Sequence, residues 1–315
     1  MRRHLYRLLA ILMATAAALA ALEVASRIGR QPGYRGTRVP GEQLSLRFDP
    51  DYRDRTYRLE KEPGTFRILS VGDSYAWGYG VRPEDAYPDR LARQLRRLEP
   101  DRSFEVINWS RPGWNSWEEW LSLRDSEIDW KADLLLIGFV LNDAEPTSMS
   151  ERGPLHRGAA RRGPGTWLSR ELYRVSRLYA RLFEAAENLR QRRAVDAFYR
   201  GLYEGESWEQ AQEALRKIRR RVRHRDGSMA LVVFPVFDPR LAHDYPYADL
   251  HGIVADAGRS LRIPTLDLLP AYAGMDPRRL AVEPFSDPHP NELAHRIAAE
   301  AIAAFLQKES LLEAP

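Results

Sequence analysis

The chain reads as an α/β protein, a three-layer α/β/α sandwich around a central parallel sheet with a helical insertion. Three observations predict it. Apolar runs of strand length recur from residue 66 onward, each closed by turn residues. Single amphipathic helices separate the first three runs, the pattern of βαβ units with a parallel sheet. The third run, "ADLLLIGFV" (132–140), is apolar at consecutive positions, as in a strand covered on both faces.

The elements follow in order. "FRILSVG" (66–72) is the first strand, and "PEDAYPDRLARQLRRLE" (83–99) a helix with Leu91, Leu95 and Leu98 on one face. "SFEVINWS" (103–110) is the second strand and "SWEEWLSLRDSEID" (116–129) the second helix. After the third strand come a fourth, "MALVVFPVF" (229–237), and a short fifth, "IPTLDLL" (263–269). The last helix is "NELAHRIAAEAIAAFLQKE", capped by Asn291. Between Asp143 and Met229 the pattern changes. Residues 150–166 are rich in Gly, Arg and Pro, and 167–224 are helical and dense in arginine. Such a length exceeds a simple crossover. It is read as a helical insertion at about 150–225, a cap over the active edge or a surface for a membrane. An ordinary crossover helix with a solvated basic face is the alternative.

The N-terminus has the layout of an export signal. "MRRHLYR" is basic, and Leu8–Leu22 is uncharged and apolar. As helix those 15 residues span about 22 Å, against a hydrocarbon core of roughly 30 Å. Leu5, Tyr6, Val24 and Ala25 extend the run, with Arg7 and Glu23 reaching for the interfaces. The expectation is an uncleaved signal anchor in residues 1–30, a linker over 31–63 and an exported catalytic domain over 64–315, on the periplasmic or extracellular side. Cleavage after Ala18-Leu19-Ala20, with secretion, is the alternative. The chain has no cysteine, which excludes disulfides and thiol chemistry. Its net charge is +4, but no nucleic-acid motif accompanies it.

Sites in parallel sheets form beyond the carboxyl ends of strands, and unusual residues gather there. Strand one ends in "VGDSYAWGYGV", with Ser74 either capping the next helix or serving as a nucleophile. "NWSRPGWNSW" with Gly113 follows strand two, and "GFVLND" with Gly138, Asn142 and Asp143 follows strand three. "SDPHPNELAH", with Asp287 and His289, precedes the last helix.

Together these resemble the SGNH hydrolases, or GDSL-type esterases. Four blocks of that family stand in its order: "VGDSYAWGYGV", the glycine of "RPGWNS", "GFVLND" for Gly-x-Asn-Asp, and "DPHPN" for the Asp-His block. The resemblance covers roughly residues 64–145 and 228–307. Three departures stand out. Gly138 lies further from Asn142 than is usual, Ser286 occupies the family's common acid position with Asp287 two before His289, and Tyr75 replaces the leucine. The last carries little weight.

The resemblance implies the SGNH/flavodoxin-like fold, a serine esterase, and no cofactor or metal. A serine hydroxyl needs a neighbouring base; His289 is that candidate, with Asp287 to hold its tautomer. Side chains two apart in extended chain point the same way, so the Asp287 carboxylate is able to reach Nδ1. The resemblance also implies three oxyanion donors: the Ser74 and Gly113 backbone N–H groups and the Asn142 side chain. Taken singly, these residues have plainer readings as caps and turns, and Asp73 and Asp143 are read as organising their turns. His243 and His251 are read as surface-loop residues, not metal ligands. Of the aromatics crowding the same edge, Trp77 and Trp114 are the candidates for substrate contact, the others for packing.

The expected activity is hydrolysis of acyl esters of carbohydrates or small molecules by a membrane-tethered exported serine esterase. Two rivals are an O-acyltransferase acting on a cell-surface polysaccharide and a catalytically dead tethered binding module.

Overall fold

The computed structural model describes residues 15, 18–19, 57, 60–126, 130–146, 165–238, 240–283 and 287–313, the side chains of 184–185 and 187–193 excepted. The expected anchor and nearly all of the expected linker lie outside these residues. Among the described residues no helix is long and apolar enough to cross a membrane.

Five strands form one parallel sheet in the order β2-β1-β3-β4-β5. They are β1 (Thr65–Gly72), β2 (Ser103–Ser110), β3 (Leu134–Phe139), β4 (Ser228–Val233) and β5 (Thr265–Asp267). Their apolar runs are continuous because alternate residues feed two different cores. β1 sends Phe66 and Ile68 to one face, and β3 sends Leu134 and Leu136 there; Leu69, Val71, Leu135 and Ile137 go to the other. The first face is covered by α2 (Tyr87–Leu98) and α9 (Glu292–Lys308), through Tyr87, Leu91, Leu95, Ala298 and Ile302. The second is covered by α3 (Ser116–Asp125), α6 (Glu206–Arg223) and α7 (Ala248–Ser260), through Leu123, Leu215, Ile218 and Val254.

In the region read as an insertion, α6 occupies the β3–β4 crossover. Its Trp208, Ala211, Leu215 and Ile218, three or four apart, lie in the core. The helices α4 (Trp167–Val175) and α5 (Arg177–Leu202) are additional to the βαβ plan. The C-terminal end of α5 is fastened to the main body where Tyr203 donates to the Leu141 carbonyl at 3.2 Å and Arg200 pairs with Asp249 at 2.6 Å. The sequence reading missed α7, whose first four residues (248–251) it took as surface loop. His251, 1% exposed, is in that helix, with Nδ1 2.7 Å from Asp267 and Nε2 3.3 Å from the Tyr245 hydroxyl. This corrects the surface-loop reading: the histidine is a buried tie between α7 and β5. Also missed was the antiparallel pair β6 (Ala281–Glu283) and β7 (Asp287–Pro290). Around β5 and α9 the chain also forms α8 (Leu269–Tyr272).

The strand order places β1 beside β3. From β1 the chain crosses to one face of the sheet and from β3 to the other, so a crevice opens between the two strand ends. Gly72 ends β1 in this crevice. A Cβ there would stand 2.7 Å from Ala76 Cβ and 2.9 Å from the Gly138 carbonyl. Gly72→Ala is therefore expected to destabilise the fold by about 1–3 kcal/mol, lowering the melting temperature by several degrees in a calorimetric scan. An unchanged midpoint would show that the strand ends have room to part.

Candidate active site

Ser74 begins the single-turn helix α1 (Ser74–Trp77) directly after β1. The cap of that helix is Asp73, whose Oδ1 accepts the Tyr75 N–H at 2.8 Å. Ser74 is thus not spent on capping, and its Oγ meets His289 Nε2 at 2.9 Å. On the other side of the ring, His289 Nδ1 is 2.5 Å from Asp287 Oδ1. An ionised carboxylate only accepts, so the proton sits on Nδ1, and Nε2 is free to accept from the serine.

Asp287 and His289 lie on the extended strand β7, which places both side chains on one face. The Asp287 Oδ1 atom also accepts the His289 backbone N–H at 3.1 Å. Asn291 follows as the cap of α9, accepting from Leu293 and Ala294 and donating to the Arg279 and Ala281 carbonyls. The histidine strand is thereby held between β6 and α9.

The loop after α1 packs onto the same hairpin. Gly80 has φ +81°, and a Cβ there would lie 2.6 Å from Val282 on β6, so only glycine lets the loop pass. This close passage carries Tyr79 to His289, with ring centroids 4.7 Å apart. Tyr75 packs on the same imidazole at 5.6 Å and on Phe234 and Phe237. The sequence reading gave Tyr75 little weight. In the structure its buried ring is part of the wall that orients the histidine, and its place next to Ser74 was the available signal.

Asn142 stands in the 3₁₀ turn Leu141–Ala144 after β3, and its Nδ2 donates to Asp73 Oδ2 at 3.3 Å. The same oxygen is 3.3 Å from Ser74 Oγ. Asp73, read as organising its turn, does that and also joins the two turns across the crevice. Burial pushes its carboxyl up, against the pull of the Tyr75 amide, the His289 ring, Asn142 and Ser74. Asp143 organises its own turn, accepting the Val140 N–H at 2.8 Å.

Gly113 lies exposed beyond β2 at φ +82°, a conformation that favours glycine, with open space where a Cβ would be. Trp77 is half-buried, its ring 6.2 Å from that of Tyr79, and Trp114 packs against the core of the second face. Gly138 is a packing position: a Cβ there would stand 2.4 Å from the Tyr87 hydroxyl.

Chemically, the arrangement can take the proton from a serine hydroxyl and hold the resulting imidazolium beside a carboxylate. A family model described as the GDSL-like Lipase/Acylhydrolase family matches residues 70–297, more than two thirds of the chain. Among curated protein sequences none matches. Similar solved structures include TesA, at 15% identity and a TM-score of 0.48 over 77% of this chain and 98% of that one. LAE5, an α/β hydrolase enzyme from the metagenome of Lake Arreo, Spain, shares 16% identity at a TM-score of 0.49, over 79% of this chain and 96% of that one. A catalytic mutant of Axe2, an acetylxylan esterase from Geobacillus stearothermophilus, shares 15% at 0.48, over 76% and 94% respectively. The chain is an ester hydrolase belonging to the GDSL-like lipase/acylhydrolase family.

Proposed function

We propose that this chain hydrolyses acyl esters of carbohydrates or small molecules through Ser74, His289 and Asp287, at the outer side of a membrane to which its N-terminal helix tethers it. The observation that carries the chemistry is the unbroken hydrogen-bond chain from Ser74 Oγ through both ring nitrogens of His289 to Asp287. Ser74 Oγ attacks the ester carbonyl as Nε2 takes its proton. The tetrahedral intermediate expels the alcohol, which leaves with that proton, and an acyl-serine remains. Water then attacks the acyl-serine, giving its proton to Nε2; the second tetrahedral intermediate releases the acid as Nε2 returns that proton to Ser74 Oγ. The oxyanion is received by the N–H groups of Ser74 and Gly113 and by the Asn142 amide. That amide has two N–H bonds, of which Asp73 takes one. The half-buried Trp77 and exposed Tyr79 rings beside the serine support a substrate with a flat or sugar-like leaving group. The tether rests on the basic cap and apolar run of residues 1–22.

One experiment addresses both parts. Membranes from cells making the full chain are washed with carbonate, labelled with a fluorophosphonate probe and assayed with acetylated glycans and p-nitrophenyl esters. The expected result is a labelled band in the pellet and release of free acid from esters. A labelled band only in the wash, with a mature N-terminus at Ala21, would replace the anchor by a cleaved signal. Acyl groups passed to an added glycan in preference to water would make the enzyme a transferase. Absence of labelling would leave a binding module.

A further inference from the structure

Beneath the serine lie three buried acids, and the mechanism uses only one of them. Asp73, Glu119 and Asp143 are at most 1% exposed. Asp73 has both oxygens engaged. Asp143 uses Oδ2 for the Val140 N–H, while its Oδ1 is buried with no hydrogen-bond partner among the described residues. Glu119, on the second turn of α3, has neither oxygen engaged by a donor. Yet α3 is fixed closely against the turn that carries Asn142, because Asn115 at its cap donates to the Glu145 carbonyl at 2.7 Å.

Glu119 and Asp143 stand four and two residues from the two ends of that bond, and keeping both buried carboxylates ionised away from water is costly. The charge of Glu119 is the charged neighbour that weighs most on Asp143, after burial itself. For Glu119, burial acts first and the charges of Asp73 and Glu118 next, all pushing its carboxyl well above the usual range. The backbone N–H bond favours the ionised form of Asp143, and nothing comparable favours it for Glu119. One proton on Glu119 would supply a donor for the orphan Asp143 Oδ1.

We propose that Glu119 is a positioning residue for the oxyanion hole: it stays protonated, donates its hydroxyl to Asp143 Oδ1, and so locks the turn that aims the Asn142 amide at the substrate. This rests on the esterase reading of Ser74 and Asn142. Other groups facing the cluster are Tyr87 from α2, whose hydroxyl meets Ser70 Oγ at 3.2 Å, and Tyr203 after α5, bonded to the Leu141 carbonyl. Glu145 acts on Asp143, and His289 acts on Asp73. From α6, Lys217 lies 6.0 Å over the rings of Trp117 and Trp120 on α3. An acid held above its ordinary range keeps its proton to higher pH than an exposed glutamate and loses it as pH rises further. The lock therefore opens on the alkaline side.

The test measures kcat and KM against pH for the full chain with p-nitrophenyl acetate. Glu119→Leu, which leaves Asp143 Oδ1 unpaired, is expected to lower kcat about 10- to 100-fold with KM within about twofold, since an oxyanion donor acts on the transition state. Glu119→Gln, which keeps a neutral donor, should hold kcat within about threefold and extend its plateau to higher pH than wild type. Asn142→Ala should lower kcat by about 10²-fold, and adding Glu119→Leu to it should cost nothing further, because both act through one group. Losses that multiply in the double variant, or a Gln variant as impaired as the Leu variant, overturn the proposal. If the Leu variant does not fold, an unchanged alkaline limb in the Gln variant overturns it alone. Wild-type kcat in Asn142→Ala overturns the oxyanion reading and the proposal together. An impaired Asn142→Ala with an unimpaired Glu119→Leu overturns the proposal only.

Discussion

Ser74→Ala is expected to lower turnover by on the order of 10⁶-fold, as loss of the nucleophile does in serine hydrolases of known mechanism, and to abolish fluorophosphonate labelling. The fold should survive. The cap of α1 is Asp73, so no capping bond is lost, and alanine suits the first position of a helix. The hydroxyl makes two side-chain contacts, to His289 and to Asp73. The His289 side chain is 26% exposed, so water is able to replace the serine on Nε2. Stability should then stay within about 1 kcal/mol of wild type. The checks are intact-protein mass spectrometry after labelling, steady-state kinetics and a melting curve. Labelling that persists at another serine would remove Ser74 from the mechanism.

Asp287→Asn is expected to cut turnover about 10⁴-fold while leaving KM nearly unchanged. In the proposed mechanism the Asp287 carboxylate has two roles at Nδ1. Its acceptor-only oxygen would keep the ring proton on Nδ1, and its charge would stabilise the imidazolium that forms when Ser74 is deprotonated. An asparagine carries no charge, and when its N–H faces Nδ1 it leaves the proton on Nε2, where it blocks the serine. The backbone bond from the His289 N–H can persist with the asparagine oxygen, so the strand should keep its shape. Circular dichroism and a melting curve check this independently of kinetics. Near-normal turnover would mean a Ser–His dyad, or another carboxylate in the orienting role.

The two acidic neighbours of the chemistry differ in how visible they were. Asp287 could be read from the chain because i and i+2 in extended backbone share a face, a purely local rule. Glu119 could not. In "SWEEWLSL" the tryptophans suggest the inward face, yet the buried positions are Ser116, Glu119 and Leu123, while Trp117 and Trp120 are half-buried. Which side of a helix faces inward is settled by its partners, here β1, α6 and the turn after β3. The same holds for Arg67. It lies within a strand and is fully buried, because Glu105 on β2 and the Trp130 carbonyl receive its guanidinium at 2.7 Å.

The sequence by itself determined the five sheet strands, their parallel arrangement and the family, because period, run length and turn chemistry are local. The limits of β2 came out as read, and those of β1 within a residue. It also marked Ser74, Asn142, Asp287 and His289 as residues gathered at strand ends. The tertiary structure alone decided which helix of the long middle segment crosses from β3 to β4, that a buried helix carries His251, and that a short hairpin supports His289. It also decided that Asp73 rather than Ser74 caps α1, and that Tyr75 and Tyr79 wall the imidazole. Each of these depends on contacts between segments far apart in the chain, whose energies arise from burial and complementary hydrogen bonds that no window of neighbouring residues contains.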